Sequence, residues 1–169
     1  MKKIISLLSI LCLAITGAFA QEQVSISRFQ GEKITAIKVI GAFEVTARQG
    51  ESTGISVSIP ARLAQKLILT LKNGELLLSM EGKGKWKKND KCKAEITVSS
   101  LEKIELSGAC SLDFSKEITT DNFQAEIIGA SSVTLNNPIH VKQEAKITLT
   151  GASKLSGQLT SQELICEIL

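Results

Sequence analysis

Apolar residues recur at every second position on both sides of four short Gly-Ala steps, which begin at Gly41, Gly108, Gly129 and Gly151. Apolar side chains stand four and two residues before each glycine and four residues after it: Ile37, Val39 and Val45; Ile104, Leu106 and Leu112; Ala125, Ile127 and Val133; Ile147, Leu149 and Leu155. A period of two is typical of β-strands with one buried face. Each step is therefore predicted to be a bend between two strands, where glycine allows a close backbone approach.

The last three glycines are separated by 21 and then 22 residues. A unit of this length cannot bury an apolar face alone, so successive units must stack. The leucine and asparagine pattern of leucine-rich repeats is missing, and a helical repeat needs a longer unit with a 3.6-residue period. The sequence therefore predicts an all-β fold, a right-handed parallel β-helix-like solenoid in which each repeat is one coil.

The N-terminal half is less regular and is predicted to be mixed or antiparallel. Strand-like alternation runs through residues 34–47, 55–59, 67–71 and 76–80. The triplet Lys72-Asn73-Gly74 favours a tight hairpin turn, because Asn and Gly accept the positive φ angles that such a turn requires. A helical turn within residues 61–69 is the lesser alternative.

Residues 1–20 have the pattern of a secretory signal peptide. Lys2 and Lys3 precede an apolar run from Ile4 to Ile15, and Ala18-Phe19-Ala20 is a small-x-small cleavage pattern. The run is too short to span a bilayer, and no other segment reaches that length. We therefore expect an exported protein of the periplasm, the outer-membrane surface or the extracellular space, with no transmembrane segment.

Removal of this segment changes the charge balance. The whole chain has 20 Lys and Arg against 17 Asp and Glu, a net charge of +3. Without Lys2 and Lys3 the net charge falls to about +1, which makes nucleic acid a poor partner. The expected organisation of the remainder is an N-terminal lead-in over 21–33 and one domain over 34–169.

The end of the sequence begins another repeat. Leu164, Cys166 and Ile168 alternate as the strand before each glycine does, and the next glycine is due at about position 170, after Leu169. We expect a domain that is cut short at this point, or a last coil that another chain covers, since an open end invites strand addition.

Three cysteines remain without Cys12, namely Cys92, Cys110 and Cys166. An odd count in an oxidising compartment allows at most one internal disulfide with one free thiol, or an intermolecular bond. Cys92 and Cys166 fall in apolar alternation and are predicted to point inward, which leaves Cys110, at a corner, as the odd one. A Cys92–Cys110 bridge is an option that the spacing leaves open.

The ordered series of motifs resembles a known family. The segments are ITAIKVIGAFEVTARQGESTGISVSIP, NGELLLSM, AEITVSSLEKIELSGACSLDF, IIGASSVTL and LTGASKL, and together they resemble the putative auto-transporter adhesin, head GIN domain. The resemblance covers roughly Ile34 to the end. It implies a β-helix-like fold, export by Bacteroidetes-type bacteria and an adhesin-like role, and it supplies no catalytic motif. One departure is a Gly-Ala-Cys step at Gly108, where the family repeats Gly-Ala-Ser.

The strongest local anomaly is residues 81–93, where six lysines surround the only tryptophan. One interpretation is a loop that offers cationic and aromatic surface to an anionic glycan, a lipid head group or a surface polymer. The other is a solvated connection between two strands, with the tryptophan folded back onto a face. The candidate partner-binding residues are Lys83, Lys85, Trp86, Lys87 and Lys88.

The rest of the sequence argues against catalysis. His140 is the single histidine, which removes most zinc sites and histidine general bases. The serines at the corners have no Gly-x-Ser-x-Gly context and are expected to hydrogen-bond at turns and between coils. Glu105 and Glu126 occupy equivalent outward positions one coil apart, where they either form a pair that binds a cation or are solvated beside Lys38 and Lys103. No catalytic, cofactor-binding or metal-binding residue is predicted.

These patterns together favour a non-enzymatic exported envelope or surface protein, an adhesin-like binding module. Its expected partner is a glycan or another surface polymer, or a second copy met through the solenoid ends. The alternative is a structural or scaffolding protein that assembles through those ends. An envelope polysaccharide-active enzyme is the least favoured function, because the acidic residues are not clustered.

Overall fold

The structure, a computed structural model, describes residues 22–82 and 90–169. The predicted signal peptide, residues 1–20, lies outside this range. The described chain forms fifteen strands and one short 3-10 helix, Ala61–Lys66. The strands are β1 Gln23–Arg28, β2 Ala36–Gly41, β3 Glu44–Gln49, β4 Gly54–Pro60, β5 Leu67–Lys72, β6 Glu75–Met80, β7 Lys93–Val98, β8 Lys103–Gly108, β9 Ser111–Phe114, β10 Ile118–Thr120, β11 Phe123–Gly129, β12 Ser132–Val141, β13 Glu144–Gly151, β14 Lys154–Thr160 and β15 Glu163–Ile168.

The strands form two mixed sheets. Sheet A has the order β1-β4-β7-β3-β9-β12-β10, with β14 also paired to β12, and sheet B has the order β15-β13-β11-β8-β2-β6-β5. Neighbouring repeat strands are parallel in both sheets. The antiparallel pairs are β1 with β4, β4 with β7, and β5 with β6. The predictions of an all-β fold and of a mixed N-terminal part are thereby confirmed.

The repeats pair in the register that the sequence predicts. In each repeat the strand before the glycine lies in sheet B and the strand after it lies in sheet A. Gly41 is the partner of Gly108, Gly108 of Gly129 and Gly129 of Gly151. The flanking apolar residues form continuous columns across the strands: Ile37, Ile104, Ala125 and Ile147; Val39, Leu106, Ile127 and Leu149; Val45, Leu112, Val133 and Leu155.

Inward residues from both sheets join in one hydrophobic core. Its side chains are mostly Ile, Leu, Val and Ala, and the buried rings are those of Phe43, Phe114 and Phe123. Columns of similar aliphatic side chains fill the space between the two sheets well, because successive repeats place side chains of nearly the same volume at the same position along their strands. The low aromatic content of the chain is therefore compatible with a dry interior.

The N-terminal half closes one end of this stack. The hairpin between β5 and β6 turns at Asn73 and Gly74, with φ angles of 52° and 81°, which confirms the predicted turn. The 3-10 helix Ala61–Lys66 corresponds to the helical turn given above as the lesser alternative. It buries Leu63 against the core.

Successive backbones approach each other closely at the glycine corners. The N–H of Ala130 donates to the carbonyl oxygen of Gly108 at 2.8 Å. Gly129 has a φ angle of +84°, and a Cβ atom there would lie 2.7 Å from that same oxygen. A side chain at Gly129 would therefore need both a strained φ and a wider gap between repeats.

We expect the substitution Gly129→Ala to lower the free energy of unfolding by about 3 kcal/mol or more, since it adds a backbone clash to a left-handed φ. The matched control is Gly31→Ala. Gly31 has nearly the same φ angle, +79°, but nothing lies within 4 Å of the position that a Cβ atom would take there. The control should cost only about 1 kcal/mol from φ strain. Urea denaturation of both variants measures the difference, and equal losses would contradict the role of the close approach.

Candidate functional site

The five candidate partner-binding residues, Lys83, Lys85, Trp86, Lys87 and Lys88, lie outside the described residues. Residues 81–90, which we call the lysine-rich segment, have both ends held beside the 3-10 helix. The N–H of Glu81 donates to the carbonyl oxygen of Lys66 at 2.7 Å. At the other end the carboxylate of Asp90 pairs with the guanidinium of Arg62, and the Asp90 side chain is only 1% exposed. The Arg62 side chain is 34% exposed, so the covered partner is the carboxylate, and the pair holds it in place because an unpaired buried charge is costly.

A groove of about 290 Å³ begins where the lysine-rich segment ends. We call it the corner groove, because one wall is the chain that follows the segment and the other is formed by the Gly-Ala corners. These residues are far apart in sequence, and only the register of β7, β3 and β9 brings them together. The walls include Asp90, Lys91, Cys92, Ala109, Cys110 and Ala130.

Two of the three cysteines lie in this groove, but they are not bonded to each other. Cys92 precedes β7 and Cys110 precedes β9, and these strands flank β3 on opposite sides. The two Cα atoms are therefore about two strand spacings apart, roughly 9.6 Å, with Phe43 at the same height between them. A disulfide needs Cα atoms within about 7 Å. The Cys92–Cys110 bridge that the spacing left open is thus excluded by the strand order.

The predicted burial of the thiols is partly wrong. Cys92 is buried as predicted, but Cys110 is buried as well, and Cys166 is exposed. Cys166 does occupy an inward position, since it pairs with the buried Ile147 of β13. It is exposed because no strand of sheet A in the described structure lies opposite β15. The alternation of residues along a strand predicts toward which face of the sheet a side chain points, and the other sheet decides whether that face is covered.

Burial suppresses the reactivity of the two groove thiols. Loss of hydration raises the pKa of Cys92 to about 11, and the negative charge of Asp90 adds to the effect. Burial also raises the pKa of Cys110, against the opposing effect of backbone hydrogen bonds. Because the thiolate is the nucleophile, both side chains act as apolar packing at neutral pH.

Ser131 connects neighbouring repeats at the corner. Its hydroxyl donates to the carbonyl oxygen of Gly108 at 3.2 Å and accepts from the N–H of Cys110 at 3.3 Å. The side chain is 1% exposed. This confirms for Ser131 the predicted role of corner serines in hydrogen bonding between repeats.

The outer face of sheet A carries ordered rows of short polar side chains, which we call the polar face. Strand pairing places seven residues of one row side by side: Ser27, Ser56, Glu95, Thr46, Asp113, Thr134 and Ser156. The adjacent row is Ser25, Ser58, Lys93, Glu44, Ser111, Ser132 and Lys154. The two rows enclose a shallow groove of about 330 Å³. The outward positions of the aligned repeats carry this display of short polar side chains in the sequence itself.

On the outer face of sheet B, charged side chains gather around Glu105. Glu105 and Glu126 are direct neighbours in the register, as predicted. Lys38 and Lys103 lie 2.5 Å and 3.6 Å from the carboxylate of Glu105. The hydrogen bond to Glu105 raises the pKa of Lys38. These lysines favour the solvated, ion-paired interpretation, and residues 22–82 and 90–169 contain no group of three His, Cys, Asp or Glu side chains that could hold a metal ion.

Comparison with solved structures identifies similar folds. A putative lipid binding protein from Parabacteroides distasonis aligns with a TM-score of 0.76 and 16% identity, over 88% of this chain and 63% of its own. This chain therefore spans less than two thirds of that structure. Putative adhesins from Parabacteroides merdae and Bacteroides fragilis align over 88% of this chain, with TM-scores of 0.66 and 0.61 and 13% identity each. They are covered over 78% and 94% of their own lengths.

Residues 33–167 match the family model described as "Putative auto-transporter adhesin, head GIN domain". No protein of curated function matches the chain. In the described part of the chain, no helix is long and apolar enough to cross a membrane.

The thiols provide a test of the site geometry. In the native protein at neutral pH we expect an alkylating reagent to label Cys166 and to leave Cys92 and Cys110 unmodified for at least about a hundredfold longer, because the latter two are buried and protonated. In denaturant all three should react at similar rates. The pKa of Cys92 is higher in the folded protein than in the unfolded chain. Burial of the protonated thiol therefore stabilises the fold below the pKa of the unfolded chain, and this stabilisation is lost as the pH rises toward about 11. Mass spectrometry of labelled peptides identifies each site, and early labelling of Cys92 would show that the groove wall is open.

Proposed function

Because the chain belongs to the family of the putative auto-transporter adhesin, head GIN domain, we propose that it is a non-enzymatic, exported binding module with an adhesin-like role. Its ligand is an anionic glycan or a similar surface polymer, and the contact residues are Lys83, Lys85, Trp86, Lys87 and Lys88. Residues 1–20 act as the signal peptide that exports it to the periplasm, the outer-membrane surface or the extracellular space. The repeats form a right-handed β-helix that carries the site.

The observation that carries this proposal is the position of the described ends of the lysine-rich segment. Asp90 is held by Arg62, and Lys91 lines the corner groove directly after the segment. A short segment with fixed ends loses less conformational entropy on binding than a free tail does. Ammonium groups attract sulfate or carboxylate groups on a glycan, and the indole ring of Trp86 offers an apolar face to a sugar ring.

The polar face supports a long polymer rather than a small ligand. Its hydroxyl and carboxylate groups repeat at the strand spacing of about 4.8 Å, and they run across seven strands. A polymer that contacts the lysine-rich segment can continue along these rows through many weak hydrogen bonds. Such binding gains strength from repetition, which suits adhesion better than catalysis.

The non-enzymatic assignment is supported by the chemistry of the grooves. The described thiols in the corner groove are buried and protonated, and on sheet B both Lys38 and Lys103 lie beside the carboxylate of Glu105. The lipid-binding description of the Parabacteroides distasonis neighbour makes lipid head groups the competing ligand, because their phosphates would also attract lysine. The experiment below separates the two.

We expect the combined substitution of Trp86→Ala with Lys85→Ser, Lys87→Ser and Lys88→Ser to abolish binding to immobilised dextran sulfate, since it removes both the charge and the ring. Uncharged dextran should bind neither protein. Biolayer interferometry measures the loss of affinity, which should exceed about tenfold in Kd. Added salt should weaken the binding of the unaltered protein to dextran sulfate.

The matched control removes three lysines elsewhere, through Lys33→Ser, Lys72→Ser and Lys116→Ser, all at exposed positions. It has the same loss of charge and should retain binding at low salt. Equal weakening of both variants would mean that net charge alone holds the polymer, and unchanged affinity of the first variant would exclude the segment as the site. Binding to phosphatidylglycerol vesicles without binding to dextran sulfate would identify lipid head groups, rather than a glycan, as the ligand.

A further inference from the structure

The hydrogen-bonding groups at the centre of the polar face are not used within the protein. Polar side chains around this centre bond to one another. The hydroxyl of Ser56 lies 3.3 Å from those of Ser25 and Ser27, and Arg48 donates to the hydroxyl of Thr97 at 3.0 Å. At the centre itself, four polar side chains make no hydrogen bond or ion pair with the part of the chain that the structure describes: Thr46, Glu95, Ser111 and Asp113.

These four side chains line the shallow groove of about 330 Å³ on the polar face. The register places Glu95, Thr46 and Asp113 side by side on the neighbouring strands β7, β3 and β9. The groove lies between this row and the adjacent one, so it runs across the strands. Glu95 and Asp113 are two strand spacings apart, about 9.6 Å. The groove is therefore long enough for a short stretch of a polymer, and its volume falls within the range of ligand pockets, about 300–1,000 Å³.

The two rows of the polar face contain no apolar side chain. Every residue in them is Ser, Thr, Asp, Glu or Lys. The centre of a protein–protein interface is apolar and depleted of charged residues, which this face does not match. A partner that fits it must supply hydrogen-bonding groups over its whole contact area, as the hydroxyl groups of a polysaccharide do.

The charges of the groove select uncharged sugars. Its walls carry three carboxylates and one ammonium group, those of Glu44, Glu95, Asp113 and Lys93, and Lys93 lies 3.4 Å from Glu44. The excess of two negative charges repels sulfate and carboxylate groups. A sugar hydroxyl can instead donate to a carboxylate, and such a charge-assisted hydrogen bond is stronger than one between neutral groups. The groove is therefore suited to neutral sugars, in contrast to the lysine-rich segment.

The straight rows favour an extended polymer. A β-1,4-linked glucan is a flat ribbon in which every second sugar faces the same way. Its disaccharide repeat is close to two strand spacings, about 9.6 Å, so equivalent hydroxyl groups on one side of the ribbon would reach Glu95 and Asp113. An α-1,4-linked glucan has the same sugar units but curves, and it would leave a straight row after a short contact.

We propose that this groove binds a neutral, extended β-1,4-linked glycan, which lies across strands β7, β3 and β9. Glu95 and Asp113 accept hydrogen bonds from sugars one disaccharide repeat apart. Thr46 bonds the sugar between them, and Lys93 donates to a sugar oxygen. This inference goes beyond the proposed function and does not rest on the lysine-rich segment.

Titration of the full exported chain with cellopentaose tests this proposal. Maltopentaose is the matched probe, because both are glucose pentamers that differ only in linkage. Two-dimensional NMR of the backbone amides should show shifts on β7, β3 and β9 with cellopentaose and none with maltopentaose. We expect a Kd of about 1 mM, since the groove is shallow and exposed. Equal shifts with both sugars, shifts confined to other strands, or no shift at about 20 mM cellopentaose would each overturn the proposal.

The combined substitution of Glu95→Ala with Asp113→Ala should raise the Kd for cellopentaose by at least about tenfold, because it removes both carboxylate acceptors. The matched control, Glu75→Ala with Glu126→Ala, removes the same charge from the outer face of sheet B. It should bind cellopentaose as the unaltered protein does. Circular dichroism verifies that all variants are folded, and equal weakening of both variants would contradict the assignment to the groove.

The variant that lacks Trp86 and three lysines of the lysine-rich segment separates the two sites. It should bind cellopentaose with unchanged affinity even where it no longer binds dextran sulfate. Loss of cellopentaose binding in this variant would move the neutral glycan to the lysine-rich segment and overturn the inference. If the unaltered protein binds cellopentaose in the groove but not dextran sulfate, the proposed function fails and this inference stands.

Discussion

The close approach of successive backbones at the glycine corners determines the rest of the structure. The next repeat donates hydrogen bonds to the corners at Gly41 and Gly108, from the N–H groups of Ala109 and Ala130. Both strands of a repeat leave from the same corner, so one contact sets their alignment in sheet A and in sheet B together. A side chain at Gly108 or Gly129 would clash with the backbone of the preceding corner and disturb two sheets at once.

This alignment also explains how an interior with few aromatic rings remains closed. Residues of similar size stack in columns, as Ile37, Ile104, Ala125 and Ile147 do, and packing becomes a property of the repeat rather than of individual large side chains. The same alignment orders the outward residues. Because side chains alternate along a strand, the register that directs apolar residues into the core also directs the intervening polar residues to the polar face, and a shift of one residue would exchange the two sets. An ordered polar surface is thus produced by the repeat itself, and residues 81–93 add six lysines.

Strand order has consequences that spacing along the chain does not reveal. Cys92 and Cys110 line one groove, yet β3 lies between their strands and prevents a disulfide. Cys166 points toward the core columns and is still exposed, since the opposite layer is missing at that height. Both cases show a local pattern correctly predicting direction while the arrangement of layers decides the environment.

Local signals in the chain were sufficient to predict the strands beside the glycine corners and the register of the repeats, because both follow from period-two alternation and a glycine spacing of 21 to 22 residues. The strand Gln23–Arg28 was not predicted and lies in the expected lead-in. Local signals also indicated the hairpin at Asn73 and Gly74, since positive φ angles select those residue types. Folding in three dimensions was needed to show that the repeats divide into two mixed sheets, that β1 and β4 pair antiparallel before β7, and that Arg62 anchors Asp90. The tertiary structure likewise determines which thiols are buried and where the polar face lies. These features depend on which strands become neighbours and on what covers them, and those contacts join residues far apart in the chain, where no local pattern carries the information.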